Sequence, residues 1–465
     1  MSTDLLKVTS PVDGSIFAEL PLADAKQIDE TLTKAKHAAS EWRHTSIAER
    51  AELALRFVDA FTAMKDEIVP ELAWQMGRPI AYGAGEVRGF EERARYMVGI
   101  AESALADMDV GQKEGFNRWI SREPLGVVLA IAAWNYPYLI AVNVVVPAIM
   151  AGNAVILKHS GQTPLCAERF ATAFKQAGAP DGLFTAIHMS HELTEKMIGD
   201  PRVDYVAFTG SVAGGHAIVK AASGRFINVG LELGGKDPSY VRADANIPFA
   251  VENLVDGAFF NSGQSCCGQE RLYVHADVYD QFVDGFVELT KGYKLGSPLD
   301  EATTLGPMVR SSAAAFVRGQ TEAAIRGGAK ALIDEKLFPA SKAGTPYLAP
   351  QVLVNVNHQM DVMREETFGP VIGIMKVTSD DEAIQLMNDS PYGLTAAVWT
   401  EDEAAAISIG DRVETGTWFM NRCDYLDPAL PWTGIKDTGR GATLSRVGYE
   451  FLTRPKGHHL RIKTS

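Results

Sequence analysis

The chain has 465 residues, of which 46% are hydrophobic and 22% are charged, so it can bury a large core and is long enough to divide into domains. Its formal net charge of −14, with no block of lysine and arginine, argues against nucleic acid as a partner. The four cysteines show no CxxC or Cys/His spacing, which argues against a metal site and indicates reduced thiols.

The N-terminal region predicts helices separated by turns. No basic segment followed by an apolar run opens the chain, so we see no secretory signal and predict a cytoplasmic protein. Apolar residues recur at helical spacing over residues 28–42. Ser46 and Glu49 form a capping box that begins the next helix, and we expect this helix to end near residues 77–79, where Gly-Arg-Pro interrupts the pattern.

The stretch from Gly126 to Leu157 contains no charged residue and is long enough for a transmembrane helix. Prolines, asparagines and a Gly-Asn pair interrupt it, so we predict a buried strand, loop, helix, turn and strand, with no membrane as a partner. Residues 203–233 repeat the strand–helix–strand order. These units predict an α/β fold with a parallel sheet.

A second α/β region is expected to begin near residues 234–235. It includes the segment RLYVHADVYDQFVDGFVEL and the strand-like VIGIMKV. The last residues, HHLRIKTS, predict an exposed strand that pairs with another element or with another subunit.

The segment FFNSGQSCCGQERLYV places Cys266 in a polar loop shortly before a strand. A nucleophilic cysteine needs access and surroundings that favour the thiolate, and a loop held by rigid elements provides both. Free cysteines are also among the most buried residues, and are then inert. The residue by itself leaves both interpretations open.

Two further polar residues follow predicted strands. Glu232 in LELGGKDP lies among leucine and glycine, which would raise its pKa and suit a general base; the alternative is a glutamate that points to solvent. The amide of Asn135 in AAWNYPYL could donate a hydrogen bond to an oxyanion. The alternative is an asparagine that forms a turn or caps a helix before Pro137.

Two loops could hold a nucleotide. ILKHSGQTP puts Lys158 and Ser160 after a strand, where a lysine can contact a ribose hydroxyl or a phosphate, or simply be exposed. AFTGSVAGG begins a helix with Gly210, Ser211 and Gly214, and small residues at a helix N-terminus suit a pyrophosphate because backbone N–H groups face it. A GAGEVRG run is closer to GxGxxG but follows no strand, so we interpret it as glycines packed within a helix.

Taken together and in this order, these segments resemble the aldehyde dehydrogenase superfamily, from about residue 10 to the C-terminal region. NSGQSC is similar to the family's N-x-G-Q-x-C motif and implies that Cys266 is the nucleophile. LELGGKDP is similar to the glutamate motif and implies that Glu232 is the base. AWNYP is similar to the loop of the oxyanion-hole asparagine, here Asn135.

The resemblance also implies a cofactor site. REETFGPV is similar to the family's E-E-x-F-G-P segment, whose glutamate contacts the nicotinamide ribose and whose phenylalanine packs near the ring. Gly161 stands where many NAD-preferring members have a glutamate, so either NAD or NADP is expected. The implied cofactor contacts are Trp134, Lys158, Ser160, Gly210, Ser211, Gly214, Glu366 and Phe368.

The substrate pocket implied by the resemblance is aromatic, which favours a bulky apolar or aromatic aldehyde. PWTGIKDTGRG is similar to the family's P-F-G-G-x-K-x-S-G segment, with Trp432 and Thr433 in place of Phe-Gly. Arg422 or Arg271 could instead receive the carboxylate of a semialdehyde. Cys267 is expected to pack, or to bond reversibly with Cys266 on oxidation. The implied lining residues are Tyr136, Phe260, Leu426 and Trp432.

The family pattern implies oxidation of an aldehyde to an acid through a thiohemiacetal and a thioester on Cys266. A cysteine acyltransferase or thioesterase and a non-catalytic protein remain alternatives, as does a CoA-acylating variant, although Glu232 is what a hydrolytic member retains. The implied architecture, for a homodimer or homotetramer, has three parts. These are a Rossmann-like NAD(P)-binding domain (1–106 and 124–233), a catalytic domain (234–440) and a small β oligomerisation element (107–123 and 441–465).

Overall fold

The structure is a computed structural model and describes residues 4–464. Strands alternate with helices along most of this length. The strands are β1 (Leu5–Thr9), β2 (Ile16–Pro21), β3 (Met108–Asp109), β4 (Phe116–Pro124), β5 (Val127–Ala132), β6 (Ala154–His159), β7 (Phe184–Ala186), β8 (Tyr205–Thr209), β9 (Asn228–Glu232), β10 (Asp237–Val241), β11 (Gln269–His275), β12 (Lys330–Ala331), β13 (Gln351–Val354), β14 (Val371–Val377), β15 (Thr395–Trp399), β16 (Thr417–Met420), β17 (Gly439–Arg440) and β18 (Thr453–Arg461).

The helices are α1 (Ala25–Trp42), α2 (Ile47–Ala63), α3 (Lys65–Met76), α4 (Ile80–Leu105), α5 (Pro137–Met150), α6 (Leu165–Gln176), α7 (His191–Gly199), α8 (Val212–Ala222), α9 (Ile247–Phe259), α10 (Tyr279–Lys291), α11 (Ser311–Arg326), α12 (Asp361–Arg364), α13 (Asp380–Asn388), α14 (Glu403–Gly410) and α15 (Ser445–Phe451). Short 3-10 turns cover Phe260–Gly263, Glu335–Leu337 and Lys436–Thr438.

Two large sheets organise the molecule. One has the strand order β17-β9-β8-β5-β6-β7 and is parallel except for β17. The other has the order β12-β13-β14-β11-β10-β15-β16 and is parallel except for β12. Sheets in which parallel strands dominate, with helical crossovers between them, are the hallmark of the α/β class. The predicted fold class is therefore confirmed.

The uncharged stretch from Gly126 to Leu157 forms β5, α5 and most of β6, as predicted. All six residues of β5 are buried, and β5 pairs in parallel with β6 from Val127↔Ala154 to Ala132↔His159. Helix α5 has 14 residues, with Pro137 in its first turn, where the missing N–H costs nothing. No helix within residues 4–464 is both long enough and apolar enough to cross a membrane.

The N-terminal helices follow the predicted caps but not the predicted length. Ser46 and Glu49 form the expected capping box of α2. The single helix expected to reach residue 77 is divided at Met64, which leaves the helical region (φ −87°, ψ 13°) before α3 begins. Gly77 then ends α3 in a left-handed conformation (φ 84°). The GAGEVRG run lies inside α4, where Gly83 faces Val69 too closely for a side chain, which confirms its packing role.

The C-terminal strand β18 pairs with β4 over nine residues, from Thr453↔Pro124 to Arg461↔Phe116, and β3 covers the other side of β4. Within the described residues, the predicted C-terminal strand therefore pairs with another element of the same chain; Ser465 lies outside them. The rings of Trp119 and His458 stack across this pair with centroids 4.1 Å apart.

The topology brings three predicted site loops to one edge of the six-stranded sheet. Strands β5, β8 and β9 are parallel neighbours, so their carboxyl ends point the same way. Asn135 follows β5, Gly210 follows β8 and Glu232 ends β9. Ligand sites of α/β proteins form at this edge of the sheet.

Candidate active site

The loop that carries Cys266 begins with an unusual backbone. After α9, Asn261 (φ 54°), Ser262 (φ 58°) and Gly263 (φ 70°) are all left-handed. Such conformations are costly for residues other than glycine and persist only where the surroundings hold them. Here Asn261 Nδ2 donates to the carbonyl oxygens of Gln264 at 3.1 Å and of Asn135 at 3.2 Å.

Gln264 and Ser262 anchor the same loop to its neighbours. Gln264 Nε2 donates to the Asn261 carbonyl at 3.0 Å, and its Oε1 accepts from the Val309 N–H at 2.8 Å. Ser262 Oγ donates to the Gly306 carbonyl at 2.8 Å. The polar residues of NSGQSC therefore hold the loop, while Cys266 itself stays half-buried and accessible, as a nucleophile requires.

Asn135 lies beside this loop and is almost fully buried. Its Nδ2 donates to the Gln264 carbonyl at 3.3 Å, which aims the amide at the Cys266 loop. Arg78 Nη2 donates to the Asn135 carbonyl at 2.6 Å, and the guanidinium lies 4.5 Å from the Tyr136 ring centre. Arg78 is also ion-paired to Glu86, and both side chains are buried. Sequence reasoning missed Arg78 because its Gly-Arg-Pro context indicated only a helix end.

Glu232 is held by two threonine hydroxyls. Thr209 Oγ1, on the neighbouring strand β8, donates to Oε2 at 3.1 Å. Thr443 Oγ1 donates to Oε1 at 2.5 Å. Burial raises the pKa of Glu232, and the hydrogen bonds from Thr443 and Thr209 partly oppose that rise. A carboxyl group with a raised pKa can accept a proton near neutral pH.

The first cavity, of about 370 Å³, opens at the edge of the six-stranded sheet. Of the predicted cofactor residues, five line it together with Asn135 and Cys266: Trp134, Gly210, Ser211, Glu366 and Phe368. Ser211 is the N-cap of α8 and accepts from the Gly214 N–H at 3.2 Å. Gly210 and Gly214 both face the Phe208 ring, which leaves no room for a side chain at either position. These two glycines therefore let Phe208 pack against the start of α8.

The other predicted cofactor residues lie near this edge but do not line the first cavity. Lys158 is the half-buried penultimate residue of β6, and burial lowers its pKa. Ser160 follows β6, and its N–H donates to His159 Nδ1 at 2.9 Å. Burial lowers the pKa of His159 to about 4, so a neutral ring holds this loop. Gly214 lies in the first turn of α8.

Glu366 and Phe368 are positioned by a buried ion pair that sequence reasoning missed. Lys236 Nζ donates to Glu270 and, at 2.9 Å, to Thr367 Oγ1. The two carboxylate oxygens of Glu270 accept the N–H groups of Thr367 and Phe368, both at 2.8 Å. These bonds hold Phe368 in a left-handed conformation (φ 50°), with its ring edge-on to Trp134 at 5.6 Å.

Glu366 itself accepts the Gly235 N–H at 3.0 Å. Burial raises the pKa of Glu366 to about 8, and the nearby Glu270 adds to the rise. Gly234 lies so close to this carboxylate that a Cβ there would overlap it. The sequence offered one signal for this packing, the Gly-Gly pair of LELGGKDP.

The second cavity, of about 300 Å³, also reaches Cys266. Cys266 and Thr209 line both cavities, and Glu232 lines the second. The second cavity also contains Arg93, from α4, which no sequence pattern singled out. The four predicted pocket residues all line it: Tyr136, Phe260, Leu426 and Trp432.

Neither of the two arginines proposed to bind a substrate carboxylate lines this cavity. The hypothesis for Arg271 is wrong: its side chain is 1% exposed, and it donates to the backbone carbonyls of Lys236 (2.8 Å) and Met387 (3.2 Å). The guanidinium of Arg422 stacks over the ring of Tyr425, 3.5 Å from its centre, and Arg422 does not line the cavity.

Cys267 contacts Asp424. Its Sγ donates to Asp424 Oδ1 at 3.0 Å, and Ser265 Oγ donates to the same oxygen at 2.8 Å. Cys267 is buried, and both its hydrogen bond with Cys266 and its burial raise its pKa. The expectation that Cys267 is a packing residue agrees with these contacts. Its reversible bonding to Cys266 stays a prediction.

Comparison with known proteins gives a consistent result. The model of the aldehyde dehydrogenase family matches residues 1–457. The chain is 34% identical over 450 residues to the NADP(+) succinate-semialdehyde dehydrogenase of Mycobacterium avium (strain 104), covering 96% of this chain and 95% of that protein.

Solved structures agree with this match. PnpE in complex with nicotinamide adenine dinucleotide superposes with a TM-score of 0.95 at 30% identity, over 99% of this chain and 95% of that one. The succinic semialdehyde dehydrogenase of Streptococcus pyogenes, in complex with NADP+, superposes with a TM-score of 0.93 at 27% identity, over 98% and 99% of the two chains.

Proposed function

The chain belongs to the aldehyde dehydrogenase family, and from that premise we propose that it oxidises an aldehyde to the free acid through a thioester on Cys266, hydrolysed with Glu232 as base. It is an oxidoreductase that uses NAD or NADP. The observation that carries the proposal is that Cys266 alone of the three proposed catalytic residues lines both cavities, with Asn135 in the first and Glu232 in the second.

The first cavity suits the cofactor. Gly210 and Ser211 line it, and the N-terminus of α8 offers N–H groups to phosphate oxygens. The rings of Trp134 and Phe368 also line this cavity, 5.6 Å apart. We propose that Trp134, Gly210, Ser211, Glu366 and Phe368 hold the cofactor there, with Lys158, Ser160 and Gly214 farther along the same edge. When bound, the nicotinamide accepts a hydride from the substrate.

In the first half of the reaction, the Cys266 thiolate attacks the aldehyde carbon and forms a thiohemiacetal. The carbonyl oxygen becomes an oxyanion, which the Asn135 amide and the Cys266 backbone N–H stabilise. Donors held in place before the reaction stabilise developing charge without reorganising. The contact of Asn135 Nδ2 with the Gln264 carbonyl supports this role because it fixes the amide while leaving its second N–H free to donate.

In the second half, Glu232 takes a proton from a water molecule, and the resulting hydroxide attacks the thioester carbon. The C–S bond breaks, Cys266 leaves as the thiolate, and the acid is released. The raised pKa of Glu232 supports this role, because a carboxylate with a higher pKa is a stronger base.

The substrate class follows from the second cavity. Tyr136, Phe260, Leu426 and Trp432 supply an apolar, largely aromatic lining, which suits an aromatic aldehyde or the carbon chain of a semialdehyde. The Mycobacterium avium relative acts, by its name, on succinate semialdehyde. We propose a semialdehyde for this chain.

The remaining parts of the proposal concern assembly and location. Strands β18 and β4 pair across the segments 441–465 and 107–123, which supports their assignment as one oligomerisation element of a homodimer or homotetramer. The two large sheets support separate cofactor-binding (1–106 and 124–233) and catalytic (234–440) domains. All four cysteines are free, which fits the reducing cytoplasm.

The decisive experiment follows cofactor reduction at 340 nm with purified protein, NAD or NADP, and a panel of aldehydes. We expect turnover that disappears in Cys266→Ser. Glu232→Gln should give a burst of about one reduced cofactor per active site and then almost no turnover, because hydrolysis stalls. Normal turnover without a burst in Glu232→Gln would remove this residue from the mechanism. If acyl transfer proceeds without a cofactor, or acyl-CoA forms in place of the acid, the hydrolytic dehydrogenase is excluded.

A further inference from the structure

Arg93 is a buried cation in the second cavity. It lies on α4 and is 9% exposed. Its Nη1 donates to the Leu139 carbonyl at 3.1 Å and to Asn143 Oδ1 at 3.2 Å. Both acceptors are neutral, and Nε and Nη2 have no hydrogen-bond acceptor anywhere in residues 4–464. Two guanidinium donors therefore remain for a ligand in the cavity.

No carboxylate of the described chain lies within ion-pair distance of this guanidinium. The carboxyl groups whose charge acts on it are Glu86 and Glu232. Glu86 is already ion-paired to Arg78. Glu232 accepts two threonine hydroxyls and forms no ion pair with Arg93. Arg93 therefore lacks a counter-ion. A guanidinium stays protonated in proteins, and a buried charge without a partner is costly.

Three further acidic residues line the cavity: Glu92, Asp256 and Asp424. Glu92 Oε1 accepts from the Tyr425 hydroxyl at 3.4 Å. Asp424 Oδ1 accepts from Ser265 and Cys267. Asp256 interacts with the charges of Asp424 and Glu252, whereas Arg93 interacts with those of Glu86, Cys267, Glu232 and Cys266. Arg93 therefore lies close enough to the proposed nucleophile and the proposed base for its charge to act on both.

We infer that Arg93 binds the carboxylate of a short ω-semialdehyde through Nε and Nη2 while the aldehyde carbon meets Cys266. This inference rests on the proposed function of Cys266. A guanidinium presents parallel donors that match both oxygens of a carboxylate. The substrate thereby supplies the missing counter-ion, and the apolar lining surrounds the methylene groups between its two ends.

The first test uses the wild-type enzyme with three aldehydes of matched length: 4-oxobutanoate, butanal and 4-aminobutanal. We expect kcat/KM for 4-oxobutanoate to exceed that for butanal at least about tenfold, since hydrogen bonds to charged groups are worth that much. Equal values for these two would overturn the role of Arg93. A preference for 4-aminobutanal would also overturn it and assign the cavity to cations held by Asp256 and Asp424.

The second test replaces the guanidinium. In Arg93→Met, KM for 4-oxobutanoate should rise about 10- to 100-fold, while kcat/KM for butanal changes less than about threefold. Arg93→Lys should give an intermediate KM for 4-oxobutanoate, because an ammonium group keeps the charge but lacks the two parallel N–H donors. Arg422→Met should leave the ratio of the two substrates unchanged, because the wild-type guanidinium stacks on the lining residue Tyr425 but does not itself line the cavity. Equal losses for both aldehydes would make Arg93 merely structural.

A third measurement separates this inference from the proposed reaction. Calorimetric titration with succinate, the corresponding product, needs no turnover. Wild-type protein should bind succinate about 10- to 100-fold more tightly than Arg93→Met does. The control Arg422→Met should bind succinate as tightly as the wild type. If no aldehyde is oxidised but this difference persists, the proposed function fails while the anion site stands. If succinate binds both proteins equally, the anion site fails, whatever the activity.

Discussion

Thr443 donates a hydrogen bond to Glu232 at 2.5 Å, although 211 residues separate the two along the chain. The contact exists because β17, just before Thr443, pairs antiparallel with the end of β9, where Gly439 lies opposite Glu232. A segment near the C-terminus thus completes the sheet that carries the proposed base and sets the environment of its carboxyl group.

We expect Thr443→Val to raise the pH at which the proposed base, Glu232, becomes ionised. The Thr443 hydroxyl lowers the pKa of Glu232, so its removal lets burial raise that pKa further. At pH 7 a smaller fraction of Glu232 is then ionised, and hydrolysis slows. The pH profile of kcat checks this: its acidic limb should shift upward in Thr443→Val and stay in place in Thr443→Ser. An unchanged limb in the valine variant would separate Thr443 from the base.

Asn135→Ala should lower kcat about 10²- to 10³-fold, the usual loss of one oxyanion donor. The backbone carbonyl of Asn135, which accepts from Arg78, remains in the variant. We therefore expect little change in the rate at which iodoacetamide alkylates Cys266. Steady-state turnover and alkylation should be measured on the same preparation. If both fall together, Asn135 acts by holding the cysteine loop and does not stabilise the oxyanion.

The buried pair of Arg78 and Glu86 should matter for stability far more than a pair on the surface. Removing one partner leaves an uncompensated buried charge, so Arg78→Met should lower the free energy of unfolding by about 3–5 kcal/mol. The matched control is Arg95→Met, which breaks exposed pairs with Glu91 and Asp59 and should cost at most about 1 kcal/mol. Urea unfolding measures both variants. Similar losses of unfolding free energy in the two variants would show that the buried pair contributes no more to stability than the exposed pairs.

Glu366 should make the protein less stable as the pH rises. Its pKa in the folded protein is about 8, well above the ordinary value of a glutamate, so the folded state holds a proton that the unfolded state loses between about pH 4.5 and 8. Stability from this group therefore falls across that window and levels off above it. Glu366→Gln should gain stability relative to the wild type between pH 5.5 and pH 8.5, as measured by urea unfolding. A constant difference would contradict the buried, protonated carboxyl group.

Local signals in the sequence were sufficient for much of the fold. The capping box of Ser46 and Glu49 depends on residues three positions apart, so it could be predicted without a partner element. The uncharged stretch 126–157 could be assigned to strand, helix and strand because its prolines and asparagines break any single helix. The break at Met64 could not be predicted, since apolar periodicity continues across it.

By itself, the sequence determined the order of the elements, the α/β class and the family, because periodicity, caps and short motifs are written in neighbouring residues. Only the tertiary structure decided which distant side chains meet. It placed Arg93 in the second cavity, bonded Arg271 to the backbone away from that cavity, and brought Thr443 into hydrogen-bond contact with Glu232. Such meetings depend on how whole elements pack, and on which charges remain unpaired once they are packed, and no local pattern of residues encodes either.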